Sequence, residues 1–154
     1  DWIELDSDQC TLYYTSEDTD VRRYDVCTRQ PLSNFASGLE PPCYALRQLP
    51  NRDLMVTCRN RIYRYDQAGS LVREYTKESL GETDSNGLYA LQLDPDGETF
   101  WAGGVISGRV VRARIDDGTV VTSFGTGTGG INGLLIQDEY VAGISTVLFK
   151  NGFE

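Results

Sequence analysis

The 154-residue chain contains no histidine. That absence removes the usual general base, the Ser-His-Asp and Cys-His nucleophile pairs, and the commonest zinc ligand. Long apolar runs are missing too. No stretch reaches the roughly 18 apolar residues of a bilayer span, so no membrane segment is expected. Positive charge is scarce: 14 Lys and Arg stand against 23 Asp and Glu, for a net charge of −9. An acidic surface repels phosphate backbones, and no basic patch interleaves with aromatics, which argues against nucleic acid as a partner. Apolar residues at helical spacing do not persist beyond a turn. No basic, apolar leader precedes Asp1, from which a signal peptide already removed, or never present, is expected.

What is present is a repeat. Asn86-Gly-Leu-Tyr-Ala-Leu-Gln-Leu-Asp-Pro-Asp-Gly-Glu-Thr-Phe-Trp101 reads as a strand with alternating apolar residues, a tight turn and the start of a second strand. The same grammar recurs at Tyr44-Ala-Leu-Arg-Gln-Leu-Pro-Asn51, at Trp2-Ile-Glu-Leu-Asp-Ser-Asp-Gln9 and at Asn132-Gly-Leu-Leu-Ile-Gln137. Trp2, Ala45, Ala90 and Leu134 mark successive inner strands at spacings of 43, 45 and 44. Second strands follow at Leu12, Leu54, Phe100 and Tyr140; third strands at Val21, Ile62 and Val110; fourth strands at Leu32, Leu71 and Val120. Four short antiparallel strands at a period of roughly 40–50 residues predict an all-β fold, a β-propeller of four-stranded blades. A β-sandwich would use similar strands but does not account for their repeated order.

The expected organisation is one domain over 1–154, with blades at about 1–42, 43–86 and 87–130. A partial fourth follows at 131–149, with short strands at 133–136, 140–144 and 146–149. Closed rings typically have 4–8 blades, so this is a small ring or part of a larger one. A partial ring leaves blade faces and edges uncovered, which predicts a homodimer or a partner half that covers them.

Four cysteines allow three pairings. Residues opposed across the hairpin near Asp18 sum to about 37, and Cys10 and Cys27 do so; across the turn near Pro50 they sum to about 101, and Cys43 and Cys58 do so. The expected disulfides are therefore Cys10–Cys27 and Cys43–Cys58. Each closes a loop of about 15–17 residues, worth on the order of 3 kcal/mol in the chain-entropy model. They imply an oxidising compartment, extracellular or periplasmic.

Asn86 through Trp101 resembles the blade motif of bacterial NHL-repeat propellers and of gluconolactonase-like propellers. Asp1 through Glu17, followed by Val21-Arg-Arg-Tyr-Asp-Val-Cys27, resembles the second half of secreted bacterial propeller proteins whose first half supplies further blades. The tail from Phe149 resembles the start of a short extension on some secreted bacterial proteins. In gluconolactonase-like propellers a divalent cation sits in the central channel on Asn, Asp and Glu side chains. The resemblance carries Asn86 and Asn132 over as the matching Asn-Gly-Leu positions. No matching carboxylate is identified, and two amides fall short of the six to eight oxygens of Ca²⁺. The streptogramin-lyase-like branch depends on a catalytic His that this chain lacks.

Trp2, Tyr44 and Tyr89 lie near inner-strand starts, where aromatic rings suit a carbohydrate or peptide ligand. Asp94-Pro-Asp-Gly97 and Asp6-Ser-Asp8 read as turns, and Thr126-Gly-Thr-Gly-Gly130 as a loop lacking the Lys of a phosphate cradle. The arginines of the third strands, Arg22, Arg23, Arg64, Arg112 and Arg114, are expected on the solvent side. No catalytic constellation emerges. The expected function is a binding or protein-interaction module without an assigned cofactor. The alternative is a lactonase-like hydrolase using Ca²⁺ through Asn86 and Asn132.

Overall fold

The structure is a computed structural model and describes residues 2–127 and 129–141. Among these residues, twelve strands form three four-stranded antiparallel sheets, with no helix and no closed ring. The first sheet holds β1 (Trp2–Leu5), β2 (Thr11–Thr15), β3 (Asp20–Asp25) and β4 (Gln30–Ser37). The second holds β5 (Cys43–Gln48), β6 (Leu54–Cys58), β7 (Arg61–Tyr65) and β8 (Leu71–Thr76). The third holds β9 (Leu88–Leu93), β10 (Thr99–Gly104), β11 (Arg109–Arg114) and β12 (Val120–Gly125). In each sheet the strands lie in chain order, joined by hairpins.

Acidic side chains make those hairpins. Asp8 accepts from the amides of Cys10 and Thr11 at 2.7 Å, and Asp25 from those of Cys27 and Thr28. Asp96 accepts from Glu98 and Thr99, and Asp117 from Thr119. Carboxylates satisfy amides that a tight turn would otherwise leave unpaired. Much of the acidic composition is therefore turn chemistry. In Asp94-Pro-Asp-Gly97 the glycine takes φ +67° and donates to the Asp94 carbonyl at 3.0 Å. Only glycine adopts that conformation without steric cost.

Alternation along each strand sends one set of side chains to each face, and the second sheet is covered on both. Its Leu46, Leu54, Val56 and Tyr63 pack with Tyr13, Val21 and Phe35 of the first sheet. Its Ala45, Met55, Ile62 and Tyr75 pack with Leu91, Phe100 and Val111 of the third. Tyr75 meets Phe100 edge-to-face at 5.2 Å between centroids, a geometry the ring quadrupoles favour.

Two disulfides join Cys10 to Cys27 and Cys43 to Cys58. Cys43 lies directly opposite Cys58 in the β5–β6 register. The β2–β3 register pairs Thr11 with Asp25, so the Cys10 carbonyl meets the Val26 amide and Cys27 stands one residue further on.

Two expectations change. Residues 133–136 form no strand: they run irregularly, held by Ile131 N–H donating to the Gly104 carbonyl and Gln92 Nε2 to the Leu134 carbonyl. The fourth unit thus lacks its inner strand here, because these residues lie along the third sheet instead of opening a new one. Of the strand expected at 140–144, residues 140 and 141 are irregular and the rest lies outside the described residues, as does all of 146–149. Nor are the third-strand arginines simply solvent-facing. Arg64 is largely buried against Asp53 at 2.7 Å, and Arg112 pairs with Asp94 and Asp96 at 2.8 Å each.

Candidate functional site

The inner strands β1, β5 and β9 lie side by side, which brings their first residues together. Trp2 N–H donates to Thr15 Oγ1, and that hydroxyl in turn donates to the Tyr44 carbonyl. Tyr44 and Tyr89, from neighbouring sheets, place their rings 4.5 Å apart at a 40° tilt, and both remain half-exposed. Burial pushes the Tyr44 phenol above its ordinary value, against the pull of Arg59.

Asn86 is tied down beside this pair. Asp84 accepts from the Asn86 amide at 2.7 Å and from its Nδ2 at 3.3 Å. The next residues lock the loop to the second sheet: Leu88 N–H donates to the Arg59 carbonyl at 2.9 Å, and Gly87 lies against that same carbonyl. Asn132 is exposed and makes no side-chain hydrogen bond among the described residues. Tyr44 and Tyr89 are thus brought together with the loop carrying Asn86, while Asn132 sits in the irregular segment.

Further along the inner strands is a buried charged cluster. Arg47, only 7% exposed, donates from Nε to Glu139 at 2.8 Å and from Nη1 to the Leu46 carbonyl at 2.8 Å. Its guanidinium lies 4.6 Å from the Trp2 ring centroid, a cation–π contact. Glu139 also accepts from the Leu93 amide at 2.9 Å. Glu4 is less well served: Arg47 stands 3.8 Å away and the Gln48 amide donates at 3.3 Å. Burial therefore wins, and the Glu4 carboxyl is pushed up to about 7, Glu139 adding to the effect and Arg47 opposing it. A cleft of about 190 Å³ opens here, lined by Trp2, Glu4, Arg47, Glu139 and Tyr140 among others.

One turn away, Asp6 shows the opposite outcome. Burial pushes its carboxyl up, but hydrogen bonds from Gln48, Ser7 and Arg52 outweigh that and hold it below the usual range. Tyr13 Oη donates to the same carboxylate at 3.1 Å. This set is saturated by protein partners and ties β1 and β2 to the β5–β6 hairpin.

Of these groups the sequence reading picked out Trp2, Tyr44, Tyr89, Asn86 and Asn132, and missed Glu4, Arg47, Arg59 and Glu139. A signal existed: Glu4 and Arg47 occupy the same repeat position, 43 residues apart, on neighbouring inner strands. A charge there needs a partner.

Among the described residues no three His, Cys, Asp or Glu side chains converge in a way that could hold a metal ion. No protein-family model matches the chain, and no curated protein does. Among solved structures the chain is similar to hydrazine synthase of Kuenenia stuttgartiensis, a β-propeller-containing protein, with a TM-score of 0.68 at 18% identity. The likeness covers 86% of this chain and 37% of that one. At that identity it speaks to fold alone.

Proposed function

We propose that the three sheets are consecutive blades of a secreted β-propeller, and that the chain is a non-catalytic binding module whose ligand is a carbohydrate. The blade reading is supported by the repeat, by side-by-side inner strands and by the likeness to a propeller-containing structure. Secretion is supported by the two disulfides.

The observation that carries the binding reading is the Tyr44–Tyr89 pair. Two sheets contribute one half-exposed ring each, and Arg59 interacts with the Tyr44 phenol. Outward ring faces give a sugar its apolar C–H surface to pack on, while phenol and guanidinium donors meet its hydroxyls. Such a platform needs no metal and no nucleophile.

Titration calorimetry with soluble xylo-, cello- and chito-hexasaccharides tests this. At least one should bind, and Tyr44→Ala or Tyr89→Ala should weaken it about tenfold, the equivalent of about 1.4 kcal/mol. Absence of binding across the panel, or unchanged affinity in both variants, would refute it.

A further inference from the structure

We propose that the open face of the first sheet is an interface for a second copy of this chain, received head-to-tail. The far face of one copy's third sheet covers the first sheet of the other, and two copies close a ring of six sheets. This rests on reading the sheets as propeller blades.

The two sheet–sheet contacts inside one molecule use the same repeat positions twice. The near face of the second sheet (Leu46, Leu54, Val56, Tyr63) is buried by Tyr13, Val21 and Phe35 of the sheet before it. The near face of the third sheet (Leu91, Phe100, Val111) is buried by Met55, Ile62 and Tyr75 in the same way. On the first sheet the matching positions are Ile3, Leu12, Tyr14 and Arg22, the last paired with Asp18, and Leu5 and Tyr24 flank them. Among the described residues no sheet covers them: Ile3 is 66% exposed, and a recess of about 440 Å³ runs between Ile3, Leu12, Tyr14 and Tyr24. Apolar residues left together on a sheet face, where the other two sheets bury the same positions against a neighbour, mark an interaction surface.

The complement is on the same chain. On the far face of the third sheet, Trp101 occupies the position of Tyr13, and Phe124, opposite Val110, the position of Ala36, next to Phe35 at the register shift of the first sheet. They keep the edge-to-face geometry, with centroids 6.3 Å apart against 5.2 Å for Tyr13 and Phe35. Yet Phe124 is 51% exposed whereas Phe35 is 8% exposed, because Phe35 has a following sheet and Phe124 has none among the described residues. One molecule therefore carries an unfilled socket and an unfilled plug built to one pattern. That pairing identifies the occupant as a second copy. A contact between different faces is heterologous and closes only if its rotation does. Three sheets per copy make six, within the 4–8 blades of closed propellers. Two adjustments are implied. Ile131 already covers Gly103 at the inner end of the far face, and Val141 shares a recess with Ile3, Leu5 and Val26. Docking would use the outer strands and displace Val141.

Size-exclusion chromatography with light scattering should give twice the 17.2 kDa chain mass at high micromolar concentration. Ile3→Asp and Phe124→Asp alter exposed side chains on the two opposite faces, so each should fold with both disulfides intact and run as a monomer. Mixing the two variants should restore a dimer, since one copy keeps its socket and the other its plug. A monodisperse wild-type monomer would overturn the proposal. So would a dimer broken by Ile3→Asp but not by Phe124→Asp, which describes like faces meeting. Oligosaccharide binding at Tyr44 and Tyr89 is read separately, so either proposal can fail alone.

Discussion

At the scale of single residues, Glu4 is the group whose charge the fold accommodates least. Arg47 directs its short contacts to Glu139 and the Leu46 carbonyl, leaving Glu4 at 3.8 Å. The folded protein therefore holds a proton on Glu4 up to about pH 7, whereas the unfolded chain releases it near the ordinary 4.5. Between those values the native state binds more protons, so this contribution is full below 4.5 and is lost as pH rises through 7. Glu4→Gln should remove that slope and leave the variant more stable than wild type at pH 8, by roughly 1–3 kcal/mol at about 1.4 kcal/mol per pH unit. Urea unfolding at pH 5 and pH 8 measures it, and parallel losses in both proteins would show that Glu4 does not titrate in this window. Only the shared repeat position of Glu4 and Arg47 was legible in sequence; the shortfall in the contacts of Glu4 was not. Its environment depends on Glu139, 135 positions away. Trp2, Tyr44 and Tyr89 were legible as inner-strand aromatics, but the sequence could not show that two of them stack while the third faces a guanidinium.

Among the elements, the Asn86-Gly87-Leu88 junction changes most in meaning. Its sequence invites a cation-binding reading, while in the structure it fastens β9 to the β6–β7 hairpin. Gly87 has φ +65° and its Cβ position is filled by the Arg59 carbonyl. Gly133, in the matching motif near Asn132, has open space around it. Identical motifs thus have different roles because only one faces a neighbouring sheet. Gly87→Ala combines left-handed strain with overlap on backbone, and should cost about 2–4 kcal/mol by urea titration. Gly133→Ala should change stability by less than about 1 kcal/mol. The disulfides also differ by element. Cys43 and Cys58 are buried in the apolar cluster between the first two sheets, while Cys27 is exposed at a hairpin end. Mild reductant should therefore open Cys10–Cys27 first, as mass mapping of alkylated peptides would show. Replacing Cys43 and Cys58 by Ser should cost more than the about 3 kcal/mol of loop entropy, because two hydroxyls enter an apolar site.

For the molecule as a whole, strand order and hairpin chemistry were readable because each is local: a period of two, a carboxylate or glycine at the turn, and a repeat of 43–45 residues. The segment from 131 onward was not, because the same Asn-Gly-Leu grammar that begins β9 yields no strand where Ile131, Leu134 and Glu139 are held by β9 and β10. Local pattern cannot decide between starting a new sheet and lining an old one. The same limit applies to the charged cluster, whose members come from β1, β5 and that segment. The second sheet, covered on both faces, has one further consequence. Coupling in a stack passes only between neighbours, so the molecule resembles a short one-dimensional chain with a strong centre and two weak ends. Opening either outer sheet uncovers one face of the middle one, whereas the middle sheet cannot open without releasing both. The slowest amide exchange is therefore assigned to β5–β7, and the earliest local opening to the same two end sheets that carry the uncovered aromatic and aliphatic faces.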